Sequence, residues 1–230
     1  MKTLGMLGGL SWRSTIFYYE GINAAVEAAL GPMHSARIAM WSFDLQSFFG
    51  EGMDWRSDAA PFISAAQQLE SDGADGVLIA ANSAHLHAEA IEGETDIPLV
   101  HIGDAVGAAV RERSIRQVGL IGIPATMEER FYIDRINQHG IEVVVPDTIC
   151  RAKWGELIYE ELFAGDVTDK GARLMQETLA YFDKHKCEAV ILGCTELRML
   201  PRPEGSMPAL DSVDLHVEAA TRFILDEGKA

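Results

Sequence analysis

The hydrophobic residues of this chain occur mainly in short continuous runs, and a longer amphipathic segment follows most of them. Such runs predict buried parallel strands, because a strand covered on both faces is apolar at successive positions. Strands are expected at 3–9, 36–43, 77–81, 97–102, 118–122, 140–146 and 188–192. Helices are expected at 12–29, 61–71, 104–113, 156–163, 173–185 and 212–226. One further helix is expected to end at residue 90, and another to begin at residue 126. The alternation of strands and helices predicts an α/β fold with parallel sheets.

A pattern near the start of the chain returns in its second half. The segment Lys2–Gly8 aligns with Arg116–Gly122, 114 residues further along the sequence. The segment Asp75–Asn82 aligns with Glu188–Thr195, 113 residues further along. Two nearly equal offsets predict two pseudo-symmetric Rossmann-like domains, although β-branched strands also resemble one another by chance. We expect an N-terminal domain that the last helix rejoins and a C-terminal domain, with boundaries at 1–97 plus 208–230 and at 98–207.

The strand at 188–192 ends in Gly193, and Cys194 follows at once. Ligands of parallel sheets bind beyond the carboxyl ends of the strands, so we expect Cys194 and its counterpart in the repeat, Ala81, to flank one cleft between the domains. A thiol near the N-terminus of a helix lies at the positive end of the helix dipole, which favours the thiolate. A thiolate acts as a nucleophile, a metal ligand or a base. The alternative is a small buried cysteine that packs as a hydrophobic residue.

The composition is ordinary for a soluble globular protein, and the charge narrows the possible partners. The 230 residues are 48% hydrophobic and carry a formal net charge of −16. This charge argues against nucleic acid or an anionic membrane as a partner, since both require concentrated Lys and Arg. Three cysteines without a CxxC motif or a Cys/His cluster indicate a reducing, cytoplasmic setting and no structural zinc site. The N-terminus lacks the layout of a signal peptide, and no apolar run reaches the roughly 20 residues of a membrane helix.

The predicted strand ends bring together hydroxyl, amide and carboxylate groups, which suit a ligand that carries a carboxylate. These groups belong to Ser11, Asn82, Ser83, Thr126, Thr195 and Glu196. A dinucleotide is a weaker candidate, because Gly5, Gly8 and Gly9 do not have the G-x-G-x-x-G spacing. A thiolate beside such a ligand is a candidate base for the proton α to the carboxylate. Inversion at that carbon requires an acid–base group on each side of it.

Several segments resemble the aspartate/glutamate racemase family, in order and with matching spacing along almost the whole chain. They are Leu7–Trp12, His34–Ala36, Asn82–His85, Thr126–Glu128 and Leu192–Leu197. The resemblance implies a cofactor-independent amino-acid racemase that acts, as a homodimer, on aspartate, glutamate or a related amino acid. In this family two opposed cysteines, or a cysteine and a threonine, stand on the two sides of the substrate α-carbon.

The resemblance also assigns roles to individual residues. It implies that Cys194 is one acid–base group, that no metal takes part, and that the partner is a small amino acid or carboxylate. The implied substrate contacts are Leu10, Ser11, Asn82, Ser83, Thr126, Lys153, Thr195 and Glu196. A loop with glycines and aromatic residues, Phe48 to Arg56, is either a lid over the expected cleft or an ordinary exposed connection.

The chain departs from the family at the position of the first catalytic residue, which is Ala81 here and has no proton to exchange. A further departure is Arg13, where the family has a glutamate. Three hypotheses follow. The chain is a racemase with a substitute donor, for which Ser83, His85 and a bound water are the candidates. Alternatively, it is a one-cysteine enzyme like the arylmalonate decarboxylases, in which a thiol protonates an enediolate after carbon dioxide leaves, or it is a catalytically silent binder of a carboxylate or amino acid.

Overall fold

The computed structural model describes residues 1–49 and 58–226, which form an α/β fold with two parallel sheets. The chain divides into two units: unit 1 contains Met1–Ala105 and Val213–Ala230, and unit 2 contains Val106–Ser212. The loop predicted as a possible lid, Phe48 to Arg56, lies outside the described residues from position 50 onward. No helix in the described part of the chain is both long enough and apolar enough to cross a membrane.

Unit 1 contains a four-stranded parallel sheet in the order β2-β1-β3-β4. Its strands are β1 (Thr3–Gly8), β2 (Arg37–Ser42), β3 (Gly76–Ile79) and β4 (Leu99–Val100). Its helices are α1 (Trp12–Leu30), α2 (Leu45–Phe49), α3 (Ala60–Ser71), the 3₁₀ turn Ser83–His87, α4 (Ala88–Glu94), the start of α5 (Ile102–Glu112) and most of α10 (Ser212–Leu225). The central strands β1 and β3 pair in register, with Leu7 opposite Ile79.

Unit 2 repeats this topology with the order β6-β5-β7-β8. Its strands are β5 (Gln117–Ile121), β6 (Glu142–Val144), β7 (Ala189–Leu192) and β8 (Ala209–Asp211). Its helices are α6 (Pro124–Glu128), α7 (Arg130–Asn137), α8 (Thr148–Glu160), α9 (Asp169–Lys184) and the 3₁₀ turns Leu162–Ala164 and Thr195–Met199. In both units the strands stand in the order second, first, third, fourth, so the internal repeat of the sequence is a repeat of the sheet.

Burial explains why the apolar runs form the central strands. Every residue of β3 and β7 is buried, as expected for parallel strands with both faces covered. On α1 the buried positions recur every three or four residues and include Tyr18, Ile22 and Val26, which belong to the core of unit 1. In unit 2, a Cβ atom at Gly119 would collide with the ring of Phe182, so glycine lets α9 pack closely on β5.

Two elements of unit 2 differ from the sequence prediction. Helix α8 begins at Thr148 rather than at 156, because the Asp147 carboxylate accepts the Cys150 N–H (2.9 Å) and caps the helix there. Strand β8 lies where no element was predicted, because its three residues are too few to produce an apolar run of their own. Its pairing with β7 places Asp211 opposite Leu192, beside the start of the cysteine motif.

Candidate active site

The chain leaves β7 through Gly193 and Cys194 at the carboxyl edge of the unit 2 sheet. The Gly193 N–H donates to the Ile121 carbonyl (2.7 Å), which extends the pairing of β7 with β5 by one residue. A Cβ atom at Gly193 would lie 3.0 Å from that carbonyl and 3.3 Å from Cγ2 of Thr126, so a larger residue is disfavoured. Cys194 has an extended backbone and precedes the 3₁₀ turn that begins at Thr195. The thiol therefore follows a central strand, as the sequence predicts.

Cys194, Thr195 and Glu196 form one buried hydrogen-bonded group. The Cys194 thiol donates to Oε2 of Glu196 (3.1 Å), and the Thr195 hydroxyl donates to the same oxygen (2.5 Å). The three residues are only 7–9% exposed. The structure thus joins three of the predicted site residues through a single carboxylate oxygen.

These surroundings favour the protonated form of the Cys194 thiol. Burial raises its pKa most strongly, and the charge and hydrogen bond of the Glu196 carboxylate raise it further. The expectation that a helix N-terminus would favour the thiolate is therefore wrong. The helical segment after Cys194 is a single 3₁₀ turn of five residues, and its partial charge is outweighed by burial and by the full charge of Glu196.

An ion pair that the sequence analysis did not identify also acts on this thiol. Arg198 donates from Nε and Nη2 to Oδ2 of Asp211, at 3.1 and 2.8 Å. The charge of Asp211 raises the pKa of Cys194, and Arg198 offsets part of that charge. Asp211 is the last residue of β8, so only the pairing of β8 with β7 reveals its position. One sequence feature could have identified Arg198, which lies two residues after Glu196 in the cysteine motif.

Thr126 reaches the same edge of unit 2 from the start of α6. It packs against Gly193 and Gly122, with its Cγ2 3.3 Å from the ideal Cβ position of either glycine. Its side chain is fully buried, and its Oγ1 has no hydrogen-bond partner within the described residues. A buried hydroxyl without a partner is costly, so this atom is suited to contact a polar ligand. Thr126 therefore lies beside the cysteine motif, as expected for a substrate contact.

In unit 1, the loop after β1 contains a strained serine. Ser11 caps α1 and has a φ of 132°, in a region that residues other than glycine rarely adopt. Its hydroxyl accepts the Ser14 N–H at 3.5 Å, and the Thr15 hydroxyl donates to its carbonyl at 3.2 Å. The preceding Leu10 is 4% exposed. Backbone strain of this kind is concentrated at functional loops, and it is consistent with the substrate-binding role predicted for Ser11.

The edge of unit 1 that corresponds to the cysteine motif has no thiol. Ala81 follows β3, and Asn82 and Ser83 lead into the 3₁₀ turn. All three are buried, with 5–7% exposure. No hydrogen bond joins the Ser83 hydroxyl to a basic side chain within the described residues, so no partner activates it. The side chain of Ala81 is a methyl group, which neither accepts nor releases a proton.

His85 is unsuited to be the acid–base group that position 81 lacks, because both of its ring nitrogens are hydrogen-bonded to backbone groups. Nδ1 donates to the Ala81 carbonyl (2.8 Å), and Nε2 accepts the Ile102 N–H (3.2 Å). The ring is 1% exposed, and its centroid lies 4.7 Å from that of His101 and 5.5 Å from that of His216. Burial, followed by the two neighbouring histidines, lowers the pKa of His85 well below its usual value. The imidazole of His85 is therefore neutral, and each of its nitrogens has a hydrogen-bond partner.

Of the two neighbouring histidines, His216 is neutral for the same reason. His216 donates from Nε2 to the Val100 carbonyl (2.7 Å) and accepts the Tyr18 hydroxyl at Nδ1 (2.9 Å). His101 accepts the Gly103 N–H at Nδ1 (2.9 Å). Burial lowers the pKa of His216 to about 3. Within the described residues, no set of His, Cys, Asp and Glu side chains forms a group that could hold a metal ion.

Lys153 lines a cavity of about 230 Å³ between α8 and α9, and none of the other predicted site residues lines this cavity. The cavity is lined by Asp147, Ile149, Cys150, Lys153, Glu177, Thr178 and Tyr181. The Cys150 thiol contacts the Thr178 hydroxyl (3.4 Å), and burial raises the pKa of this thiol. The role of Lys153 as a substrate contact stays a prediction.

The fold and these strand ends define a known class of protein. The sequence profile of the Asp/Glu/Hydantoin racemase family matches residues 7–220. The chain therefore belongs to the Asp/Glu/Hydantoin racemase family, as its motifs predict. The matched range contains both the alanine at position 81 and Cys194.

Solved structures of the class resemble the whole chain. The structure of a candidate Asp/Glu racemase from Yersinia pestis is 35% identical, with a TM-score of 0.91 over 98% of this chain and 100% of that chain. An aspartate racemase homologue from Pyrococcus horikoshii is 30% identical, with a TM-score of 0.83 over 97% and 99% of the two chains. Unliganded arylmalonate decarboxylase is 14% identical with a TM-score of 0.50 over 100% and 96%, and shares the fold alone.

Curated relatives of the chain are racemases. The glutamate racemase of Aquifex pyrophilus is 26% identical over 174 residues, which are 73% of this chain and 66% of that protein. The broad specificity amino-acid racemase RacX of Bacillus subtilis is 20% identical over 219 residues, or 91% and 92% of the two chains. The chain thus spans just under two thirds of the length of the first of these relatives.

Proposed function

We propose that this chain binds a small amino acid and transfers its Cα proton through Cys194, at one side of the carbon only. The observation that carries this proposal is the difference between the two strand ends. The thiol of Cys194 is hydrogen-bonded to a carboxylate, whereas the methyl group of Ala81 has no proton to exchange. The racemase relatives support the substrate class, with aspartate and glutamate as the first candidates.

The proposed binding site uses the hydroxyls and amides at the strand ends. The hydroxyl of Thr126 has no partner in the described structure and is suited to bind the substrate carboxylate or amino group. By family resemblance, further contacts come from Leu10, Ser11, Asn82, Ser83, Lys153 and Thr195. By family resemblance, we propose a reaction without pyridoxal phosphate or metal. The same proposal includes a homodimer, which the family resemblance implies, and a cytoplasmic setting, which the cysteine usage indicates.

Full racemisation requires a second acid–base group on the other side of the carbon. The two side chains that sequence analysis offered for it, Ser83 and His85, are unsuited. Ser83 has no activating partner within the described residues, and His85 has both ring nitrogens bonded to the backbone. We therefore expect exchange at Cα without rapid inversion. Water is the remaining donor, and it would act without a positioned base.

A decarboxylase-like reaction is the second candidate, and the state of the thiol favours it. Decarboxylation needs a single donor, which protonates an enediolate after carbon dioxide has left. Burial and the Glu196 carboxylate raise the pKa of Cys194, so the resting thiol is a proton donor. Carbon dioxide release from 2-substituted malonates would identify this activity. A catalytically silent binder would give neither reaction while still binding an amino acid.

The test is the loss of the Cα proton signal in deuterium oxide, followed by NMR for both enantiomers of aspartate, glutamate and uncharged amino acids. We expect wild-type protein to exchange at least one of them and Cys194→Ala to lose at least about 100-fold in rate, since the positioned acid–base group is gone. Cys187→Ala removes another buried thiol of unit 2 and is the matched control. Equal exchange by wild type and Cys194→Ala would contradict the proposal.

A further inference from the structure

We infer that Arg13 makes this chain prefer amino acids with an anionic side chain, because its guanidinium binds the carboxylate at the far end of the substrate. This inference rests on the proposed function and narrows its substrate class. It concerns a residue in which the chain departs from the family, since the resemblance places a glutamate at this position. A glutamate there would repel the same carboxylate.

Arg13 lies at the carboxyl edge of the unit 1 sheet, where ligands of parallel sheets bind. The loop Gly9–Ser11 connects β1 to α1, and Arg13 is the second residue of that helix. The Thr15 N–H donates to the Ser11 carbonyl (3.2 Å), so the helix starts directly after the strained serine. Side chains of a helix lean toward its N-terminus, so a side chain of the first turn extends toward this edge of the sheet.

The buried polar residues at this edge lie deeper than the cation. The Ala80 N–H donates to the Leu7 carbonyl (2.9 Å), so β3 stays beside β1 almost as far as Asn82. Asn82 is 5% exposed, whereas Trp12 is 59% exposed and Arg13 is also exposed. The buried groups therefore suit the α-carbon end of an amino acid, and the exposed cation suits the end of its side chain.

The guanidinium of Arg13 is stacked on the indole ring of Trp12. Its Cζ atom lies 4.6 Å from the centroid of the ring. A cation–π contact of this kind restrains the side chain, and a stacked guanidinium donates its hydrogen bonds in its own plane. Such a restrained, planar cation is suited to bind a carboxylate through two parallel hydrogen bonds.

Arg13 is the only formally charged side chain in the segments around the ends of the two central strands. Residues 8–19, at the end of β1, and 76–88, at the end of β3, contain no other Lys, Arg, Asp or Glu. His85, which lies in the second segment, is neutral because burial lowers its pKa. The charge at the centre of this edge is therefore positive.

The two outer strands are followed by carboxylates rather than cations. Asp44 comes after β2 and accepts the Gln46 N–H (3.3 Å), and Asp104 lies in the first turn of α5, after β4. Within the described residues, Arg13 is thus the one Lys or Arg in the loops and first helical turns that follow the four strands. In a chain with a net charge of −16, an anionic side chain needs such a local cation.

The test is the equilibrium binding of aspartate and asparagine, because the two amino acids have nearly the same shape and differ in charge. Isothermal titration calorimetry gives the affinity of each enantiomer, and we expect wild-type protein to bind aspartate more tightly. Arg13→Gln should lower the ratio of the two affinities about tenfold, since a charge-assisted hydrogen bond is lost. Arg13→Glu, which restores the family residue, should lower it about 100-fold, since repulsion replaces attraction.

The matched control is Arg37→Gln. Arg37 is also an exposed arginine of unit 1, but it is the first residue of β2 and lies at the opposite, amino edge of the sheet. We expect this variant to keep the wild-type ratio. The inference is overturned if Arg13→Gln keeps that ratio too. It is also overturned if Arg13→Gln weakens both amino acids equally, because Arg13 would then contact a part that the two ligands share.

Cα exchange in the same proteins separates failure of this inference from failure of the proposed function. If aspartate binds with a preference that depends on Arg13 but no amino acid exchanges, the proposed proton transfer fails and the inference stands. If exchange proceeds and the affinity ratio does not depend on Arg13, the proton transfer stands and the inference fails. If neither aspartate nor asparagine binds, both are contradicted.

Discussion

The two units contain the same four-stranded sheet but differ at the second residue after its third strand in chain order. In unit 2 this residue is Cys194, and its thiol donates a hydrogen bond to the Glu196 carboxylate. In unit 1 it is Ala81, and its carbonyl is bonded to a neutral histidine. Both units thus have the sheet and hydroxyl groups at the strand ends. An ionisable side chain at the compared position is present in unit 2 and not in unit 1.

This difference shows that the scaffold and the chemistry are separable in this fold. Position 81 is followed by Asn82 and Ser83, and the backbone enters a 3₁₀ turn there, as it does after Cys194 in unit 2. The buried His85 and His216 are hydrogen-bonded through both ring nitrogens to backbone and tyrosine groups. Unit 1 has therefore kept the architecture of the motif without its acid–base group.

The largest effect is expected from Ala81→Cys, which gives unit 1 the thiol that unit 2 already has. With an acid–base group at both positions, racemisation should appear at a rate about 100-fold or more above that of wild type. Polarimetry on each pure enantiomer measures the gain. The double variant Ala81→Cys with Cys194→Ala should exchange Cα protons without racemising. If Ala81→Cys racemises no faster than wild type, the proposal that position 81 lacks the second acid–base group is contradicted.

A smaller effect concerns stability in acid, because the buried histidines belong to unit 1 alone. The pKa of His216 is lowered by burial from 6.5 to about 3, so between these values the unfolded chain binds more protons than the folded chain. The contribution of His216 to the free energy of unfolding is therefore fully present above pH 6.5 and is lost as the pH falls from 6.5 towards 3. From pH 7 to pH 5, His216 contributes a loss of about 2 kcal/mol in the free energy of unfolding.

Urea unfolding at the two pH values tests this prediction. His216→Gln should lose less stability between pH 7 and pH 5 than wild type does. His185→Gln is the matched control, since it removes an exposed histidine of unit 2. If both variants show the pH dependence of wild type, the buried imidazole of His216 does not link protonation to the stability of unit 1.

Sequence analysis predicted most of the fold because the signals for it are local. The continuous apolar runs gave β3 and β7, and the glycines and capping residues gave the ends of several helices. The repeat offset near 113 residues correctly predicted two sheets of the same topology. Strand β8 escaped prediction, because three residues that pair with a central strand produce no periodic pattern.

The electrostatics of the candidate site could not be predicted from the sequence. The motif around Cys194 was visible, yet the direction of its side chain toward Glu196 depends on the turn that follows β7. His101 and His216 are far from His85 in the sequence, so their cluster depends on the assembled sheet and helix α10. For this reason the sequence left His85 open as a proton donor, whereas the structure shows both of its nitrogens bonded.

The most direct test of one-sided proton transfer is to follow deuteration and optical rotation in the same sample of wild-type protein. The starting material is a single enantiomer of the amino acid that exchanges fastest. We predict that NMR shows complete replacement of the Cα proton by deuterium while the optical rotation stays constant. Rotation that decays to zero in parallel with deuteration would contradict the account, because it would show a working proton donor on the other side of the carbon.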